Sequence, residues 1–296
     1  MGNYTVDEHY ISRFIIKNFA DEHGKVRVIN KSKQPIEPYS SLPEKLFFSC
    51  NLYETKNNDG TYFDRNAIEK SFADFERRLS AELPQIIKCA DENKKLSRHQ
   101  INCLAELVSF QLVRLPFIRK LFFESNGNIT DQTERTLQTN AMYRIVIDSP
   151  ESAFSYLENN EFTLSEDAKN KIRETKANTT IYDFISNECN VYLIKAETDA
   201  FCIGDFPVLI GAFTNAKYVF PVSPRFAIVC ALTEPDDTEQ YDTIRYVKKD
   251  MVSFINQRMI EKAERFIAFC HSDETYILGE VQKALNGMGG YYDKLQ

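Results

Sequence analysis

Six polar residues have the type and setting to do chemistry: His9, Gln111, Arg114, Asp205, Ser223 and Asn256. A histidine ionises near pH 6.5, which suits general acid–base work if its ring reaches a second polar group. His9, one helical turn before Arg13, would have that role if it reached the turn at Asp205. Asp205 lies in Gly204-Asp205-Phe206-Pro207, where the proline fixes the backbone just past an apolar run. Polar groups on rigid turns at strand ends are common sites of chemistry. The structural alternative is an Asx-turn, with the carboxylate bonded to its own backbone.

Gln111 and Arg114 stand three apart and share a helix face with Leu107 and Ile118. A charge among apolar neighbours needs a partner, because an unpaired buried ion costs several kcal/mol. Arg114 therefore either pairs with a carboxylate such as Glu76 or binds an anion. Ser223, between Pro221 and Pro224, reads as a turn former. Asn256 falls on the helical stripe of Val252, Met259 and Ala263, so its amide is expected to bridge to a loop backbone.

The elements that must position these groups follow from periodicity and punctuation. The most organised stretch is Asp199 to Leu232. It predicts strands over Ala200–Ile203, Tyr218–Val222 and Phe226–Leu232, with prolines at their ends. Upstream, Asp7 predicts a cap for a helix over Glu8–Asn18, and Lys25–Asn30 alternates like a strand. Asn66–Leu83 carries apolar residues three and four apart. Ser97 and Gln100 form a capping-box pattern for a long helix that Pro116 breaks or kinks. Helices are expected at Gln132–Ile147, Glu151–Glu158, Ser165–Lys176 and Thr180–Asn187. Further strands are expected at Val191–Ala196, Thr243–Val247 and Arg265–Cys270, with helices at Asp250–Ala263 and Asp273–Leu285. The loop Glu234–Glu239 reads as solvated, and the Gly-rich tail as flexible.

The class is α+β, with a helical middle region packed on a mixed sheet formed mainly by the C-terminal third. Residues 1–62 form an N-terminal helix and ribbon belonging to the main body, 63–188 the helical region, 189–285 the sheet with its helices, and 286–296 the tail.

Composition narrows the function. With 43% hydrophobic and 27% charged residues, the 296-residue chain can bury a sizeable core. A net charge of −7 argues against a generally basic nucleic-acid binder, while leaving a local basic groove open. Seven scattered cysteines without a CxxC pair predict free thiols in a reducing compartment. The start lacks an apolar signal segment, and no apolar run approaches the ~20 residues of a membrane span. A cytoplasmic protein without a membrane partner is expected. No P-loop, HExxH, GxSxG or GxGxxG pattern occurs, and ten glycines leave little room for a phosphate-cradling loop.

Read in order, the pieces are His9-Tyr10-x-x-Arg13-Phe14-x-x-x-Asn18-Phe19, Gly24-Lys25-Val26-x-Val28, Gln111-x-x-Arg114-x-Pro116, Gly204-Asp205-x-Pro207-Val208, Phe220-Pro221-x-Ser223-Pro224 and Asn256. In order and spacing they resemble the domain of unknown function 4238 family over roughly His9 to Cys270. This chain has Gly204, Phe206 and Leu115 where that family more often has Ser, Asn and a small polar residue.

The resemblance implies a bacterial or phage-borne protein whose motif residues converge on one cleft. On that expectation His9, Arg114 and Asp205 are catalytic, and Gln111, Ser223 and Asn256 bind substrate. The chemistry would be hydrolysis of nucleic acid, a nucleotide or another phosphate-containing substrate, as in a bacterial defence effector. A divalent metal is the cofactor such chemistry admits. Asp205 would hold it or orient water, His9 would move a proton and Arg114 would neutralise charge. The alternative is a non-catalytic binding or scaffold module whose motif residues form a structural polar network.

Overall fold

The computed structural model describes residues 4–33, 35–54, 56, 59–62, 65–176, 181–213, 215–233 and 243–292. The expected loop at 234–239 lies outside them, as does the tail beyond residue 292.

The chain opens with a strand, β1 (Asp7–His9), and a short helix, α1 (Arg13–Lys17). The expected helix over Glu8–Asn18 is thus replaced in its first half by extended backbone. β1 pairs antiparallel with β4 (Phe48–Cys50), joining His9 to Phe48 across the ladder. Between them lie β2 (Val26–Asn30) and β3 (Tyr39–Ser41). β3 falls in a Pro/Ser-rich connection that gave no strand signal.

The helical region is α2 (Ala67–Asp91), α3 (Arg98–Val113), α4 (Pro116–Ser125), α5 (Gln132–Ile147), α6 (Pro150–Asn159), α7 (Glu166–Lys176) and α8 (Ile181–Glu188). α2 runs through Pro84, past the expected end at Leu83. Its buried stripe of Leu79, Leu83, Ile86 and Ala90 continues across the proline, so packing outweighs the lost backbone bond. The capping box at Ser97 forms as expected, and Asp131 and Ser149 cap α5 and α6 through their side chains. Pro116 is the first residue of α4, and α3 and α4 meet at a 63° bend. Among the described residues no single helix is long and apolar enough to cross a membrane.

The C-terminal third supplies β5 (Cys189–Ala196), β6 (Ile203–Gly204), β7 (Leu209–Phe213), β8 (Ala216–Pro221), β9 (Phe226–Leu232), β10 (Ile244–Val247), α9 (Lys249–Lys262), β11 (Phe266–Phe269) and α10 (Glu274–Tyr292). A five-stranded sheet has the order β10-β5-β9-β8-β7. It is mixed because β10 pairs parallel to β5 while its other pairs are antiparallel. A second sheet, β3-β2-β11-β6, is wholly antiparallel and joins the two ends of the sequence. The fold is α+β.

The expected strand over Ala200–Ile203 is reduced to Ile203–Gly204, because Ala200 and Cys202 give their backbone groups to the Asn256 side chain instead. β7 carried no alternation and was not expected. α10 extends past the expected end at Leu285.

The five-stranded sheet separates two cores. In β9, Phe226, Ile228 and Cys230 face the helical region, while Ala227 and Val229 face α9, α10 and the second sheet. A strand covered on both faces reads as a continuous apolar run, which is why Phe226–Leu232 was legible. All seven cysteines are unpaired, and Cys103, Cys189, Cys202 and Cys230 are buried.

Candidate functional site

Five of the six candidate residues fall into two polar junctions, and Ser223 closes a turn of its own. In the first, α3 grips the β1–α1 segment. Arg114, 1% exposed, is the C-cap of α3. Its Nη1 donates to Glu76 Oε1 at 2.6 Å. Its Nε donates to the His9 carbonyl at 3.2 Å, and Nη2 donates to the same oxygen. The guanidinium lies over the rings of Phe72 and Phe110, 4.8 and 5.2 Å from their centroids. Burial opposes its charge, but the carboxylates of Glu76 and Glu69 outweigh it and hold the pKa above the usual value. One turn earlier, Gln111 donates to the Tyr10 carbonyl at 2.6 Å. These two side chains take carbonyls that a helix over Glu8–Asn18 would have used itself.

The His9 ring is half-buried beside Phe48, with centroids 5.6 Å apart, and its Nε2 has no hydrogen-bond partner. Burial lowers its pKa, and Arg13 and Arg114 lower it further. Its neighbour Glu8 is fully buried. Glu8 accepts from the Tyr53 backbone N–H at 2.7 Å and from Asn66 Nδ2 at 3.3 Å. Asn66, the left-handed N-cap of α2, also donates to Glu54. Burial pushes the Glu8 carboxyl up to about 8, aided by the adjacent carboxyls of Glu54 and Glu69. Glu69 is raised by burial too, and its Oε1 lies 3.9 Å from Arg114.

The buried Arg119 guanidinium, held below its usual pKa by burial, faces Glu8, Glu54 and Tyr143. Tyr53, also buried, donates its hydroxyl to the Arg114 carbonyl at 2.7 Å. Phe47, Asn51 and Asn66 adopt positive φ around this cluster, at 54°, 53° and 62°. For a bulky residue such as Phe47 that conformation is strained, and strain of this kind gathers at functional positions.

Sequence reasoning missed Glu8, Glu54, Glu69, Asn66 and Arg119. The available signal was Glu8 within an apolar-flanked segment and the i, i+7 pair Glu69 and Glu76 on one face of a helix beginning near Asn66.

The second junction ties α9 and β11 to the loop around β6. The Asp205 carboxylate accepts three backbone N–H groups from across the chain. They are Glu264 at 2.7 Å, Arg265 at 2.7 Å and Phe266 at 3.0 Å. The Asx-turn expected within its own turn is thus replaced by a clamp on the α9–β11 connection. Lys31 completes it by donating to the carbonyls of Ile260 at 2.5 Å and Ala263 at 2.6 Å, neutralising the C-terminal end of α9.

Gly204 is needed for this approach, since a Cβ there would meet Ala263 Cβ at 2.9 Å. Asn256 bridges as expected: Oδ1 accepts from Cys202 N at 3.0 Å and Nδ2 donates to Ala200 O at 2.8 Å. Ser223 Oγ accepts from Phe226 N at 3.1 Å and closes the β8–β9 turn. Among the described residues, Asp205 joins no group of three His, Cys, Asp or Glu with ligand atoms within 4.8 Å.

The structure therefore brings His9, Gln111 and Arg114 together, while Asp205, Ser223 and Asn256 close separate backbone junctions. The architecture defines an α+β protein whose N-terminal strand is held by side chains of α3 and whose α9–β11 connection is held by Asp205 and Lys31. The chain belongs to the family described as protein of unknown function, DUF4238, whose model matches residues 8–273. No curated protein and no solved structure matches it.

Proposed function

We propose that this chain is a non-catalytic binding module in which the motif residues form a structural polar network. The observation supporting this is that Asp205 gives both carboxylate oxygens to backbone amides. Arg114 is spent on the His9 carbonyl and the Glu76 carboxylate, and Asn256 on the Cys202 and Ala200 backbone, which leaves none of the three free to meet a substrate.

The surface offered to a ligand lies elsewhere. A cavity of about 270 Å³ opens between α2, α3, α5 and α8, lined by Phe75, Phe110, Tyr182, Asp148 and Asp183, with Glu106 at its wall already paired to Arg78. Aromatic faces with carboxylates favour a cationic ligand over a nucleic acid or nucleotide. Thermal-shift and calorimetric titration against a panel of amines and nucleotides tests this. The expected result is stabilisation by amines; binding of nucleotides with none of amines overturns it.

A second reading, a hydrolase acting on a phosphate-containing substrate, is favoured by the proton-holding Glu8 beside Glu54, with His9 Nε2 unbonded. Such a pair suits acid–base work near neutrality. Its carboxylates would need a divalent metal before an anion could approach. A metal-dependent screen on RNA, DNA and nucleotides decides between the two. Turnover abolished by Glu54→Gln at unchanged melting temperature would replace the binding reading.

A further inference from the structure

We propose that Glu82, His99 and Cys103 form a zinc site that staples α2 to α3 beside their connecting turn. His99 and Cys103 are four apart on α3, so both side chains lie on one helix face. Glu82 faces them from α2. His99 Nε2 lies 3.7 Å from Cys103 Sγ and 3.7 Å from Glu82 Oε1. All three ligand atoms fall within 4.8 Å of one another. Zinc bonds of about 2.3 Å to sulfur and about 2.0–2.2 Å to nitrogen or oxygen, at tetrahedral angles, place S and N about 3.6 Å apart and N and O about 3.4 Å apart. The observed spacings need only a small side-chain adjustment to close on one ion.

The donor set is specific in kind. A thiolate and an imidazole with one carboxylate select a borderline-soft ion over magnesium or calcium. Three protein ligands leave the fourth tetrahedral position to water, and the exposed His99 edge gives that water access. Cys103 is buried beside Leu104, and Glu82 adjoins the buried Leu83. Arg78 pairs with Glu106 in a two-pronged contact next to the site, which keeps that carboxylate occupied. On binding, the Cys103 S–H bond breaks, its proton passes to solvent, and a sulfur–zinc bond forms with no change in oxidation state.

The full chain is purified in metal-free buffer with a non-thiol reductant and titrated with Co²⁺, then with Zn²⁺. One equivalent of Co²⁺ is expected to give a thiolate-to-cobalt charge-transfer band and the strong visible bands of four-coordination, both bleached by Zn²⁺. Cys103→Ser should abolish the charge-transfer band. Because Cys103 is buried, the exposed His99→Ala provides the control. It should melt like the wild type without metal, yet weaken Zn²⁺ binding beyond the ~10–100-fold typical of an outer-shell loss. The proposal is overturned if the wild type shows no charge-transfer band or only the weak bands of six-coordinate cobalt. It is equally overturned if the band survives in Cys103→Ser or if His99→Ala binds Zn²⁺ as tightly as the wild type.

Discussion

The junction around Arg114 and the junction around Asp205 do the same mechanical job with opposite electrostatics. At Asp205 every polar group meets a backbone partner of fixed geometry. Three amides enter one carboxylate, two carbonyls receive one ammonium, and Asn256 spans a third gap. At Arg114 ionisable side chains meet one another. Glu8, Glu54, Glu69 and Glu76 surround two buried guanidiniums, while Glu69 Oε1, Gln111 Oε1 and His9 Nε2 make no hydrogen bond. A backbone-clamped junction has its partners fixed by the chain itself. A junction built of titrating groups depends on pH and on every neighbour, so unspent chemistry is to be sought there.

The largest expected effect breaks the Arg114 side of this contrast. Arg114→Leu removes the partner of Glu76 and strips two donors from the His9 carbonyl. It should cost about 3–5 kcal/mol, as for other broken buried pairs. Denaturant unfolding measures it; a loss below about 1 kcal/mol would mean that the glutamates find water instead.

The next effect sharpens the electrostatic difference. Glu8 titrates near 8 in the folded chain against an ordinary 4.5, so between those values the folded state holds a proton that the unfolded state releases. Its contribution is complete below about pH 4.5 and is lost as pH rises towards 8. The slope approaches 1.4 kcal/mol per pH unit. Glu8→Gln keeps an acceptor and a donor without ionising, so the variant should lose this slope and be more stable than the wild type at pH 8. Parallel slopes for the two proteins would remove Glu8 from the titrating cluster.

Asp205 gives a smaller result. Asp205→Ala frees three amides and should cost about 2–3 kcal/mol, the range for bonds to a charged acceptor. Asp205→Asn should cost about 1–2 kcal/mol, because its NH₂ must face an N–H donor. An Asn variant as stable as the wild type would show that one oxygen suffices. Smallest is Ser223→Ala, which deletes one turn bond and should cost about 0.5–1.5 kcal/mol in the same assay.

Much of this was legible in the chain. Capping at Ser97 and Asp131, the break at Pro116 and the buried run Phe226–Leu232 follow from local rules that tertiary packing left intact. So do the Arg114–Glu76 pair, the Asn256 bridge and the Ser223 turn. What was hidden depended on distant partners. Asp7–His9 is extended because β4 and Arg114 claim its backbone, and no local pattern records that competition. Pro84 stops a helix by rule, and only the buried stripe on both sides of it explains why α2 continues. The Asp205 clamp is formed with residues about sixty positions away, so an Asx-turn was the best local answer. The Glu8 cluster escaped because its members are spread over β1, the segment after β4, and α2.

The antiparallel pairing of β2 with β11 has a consequence for synthesis. Val26–Asn30 leaves the ribosome well before its partner Phe266–Phe269, which follows far later in the sequence. At about 5–20 residues per second, the edge of β2 that will meet β11 waits roughly 10–50 s for it. During that time β3 covers only the opposite edge. The growing chain thus carries an open, apolar strand edge while all the residues between β2 and β11 are made. Open edges of that kind attract other strands, so a slow stretch of message or a premature stop before Phe266 should yield aggregated product more readily than a truncation at the N-terminus.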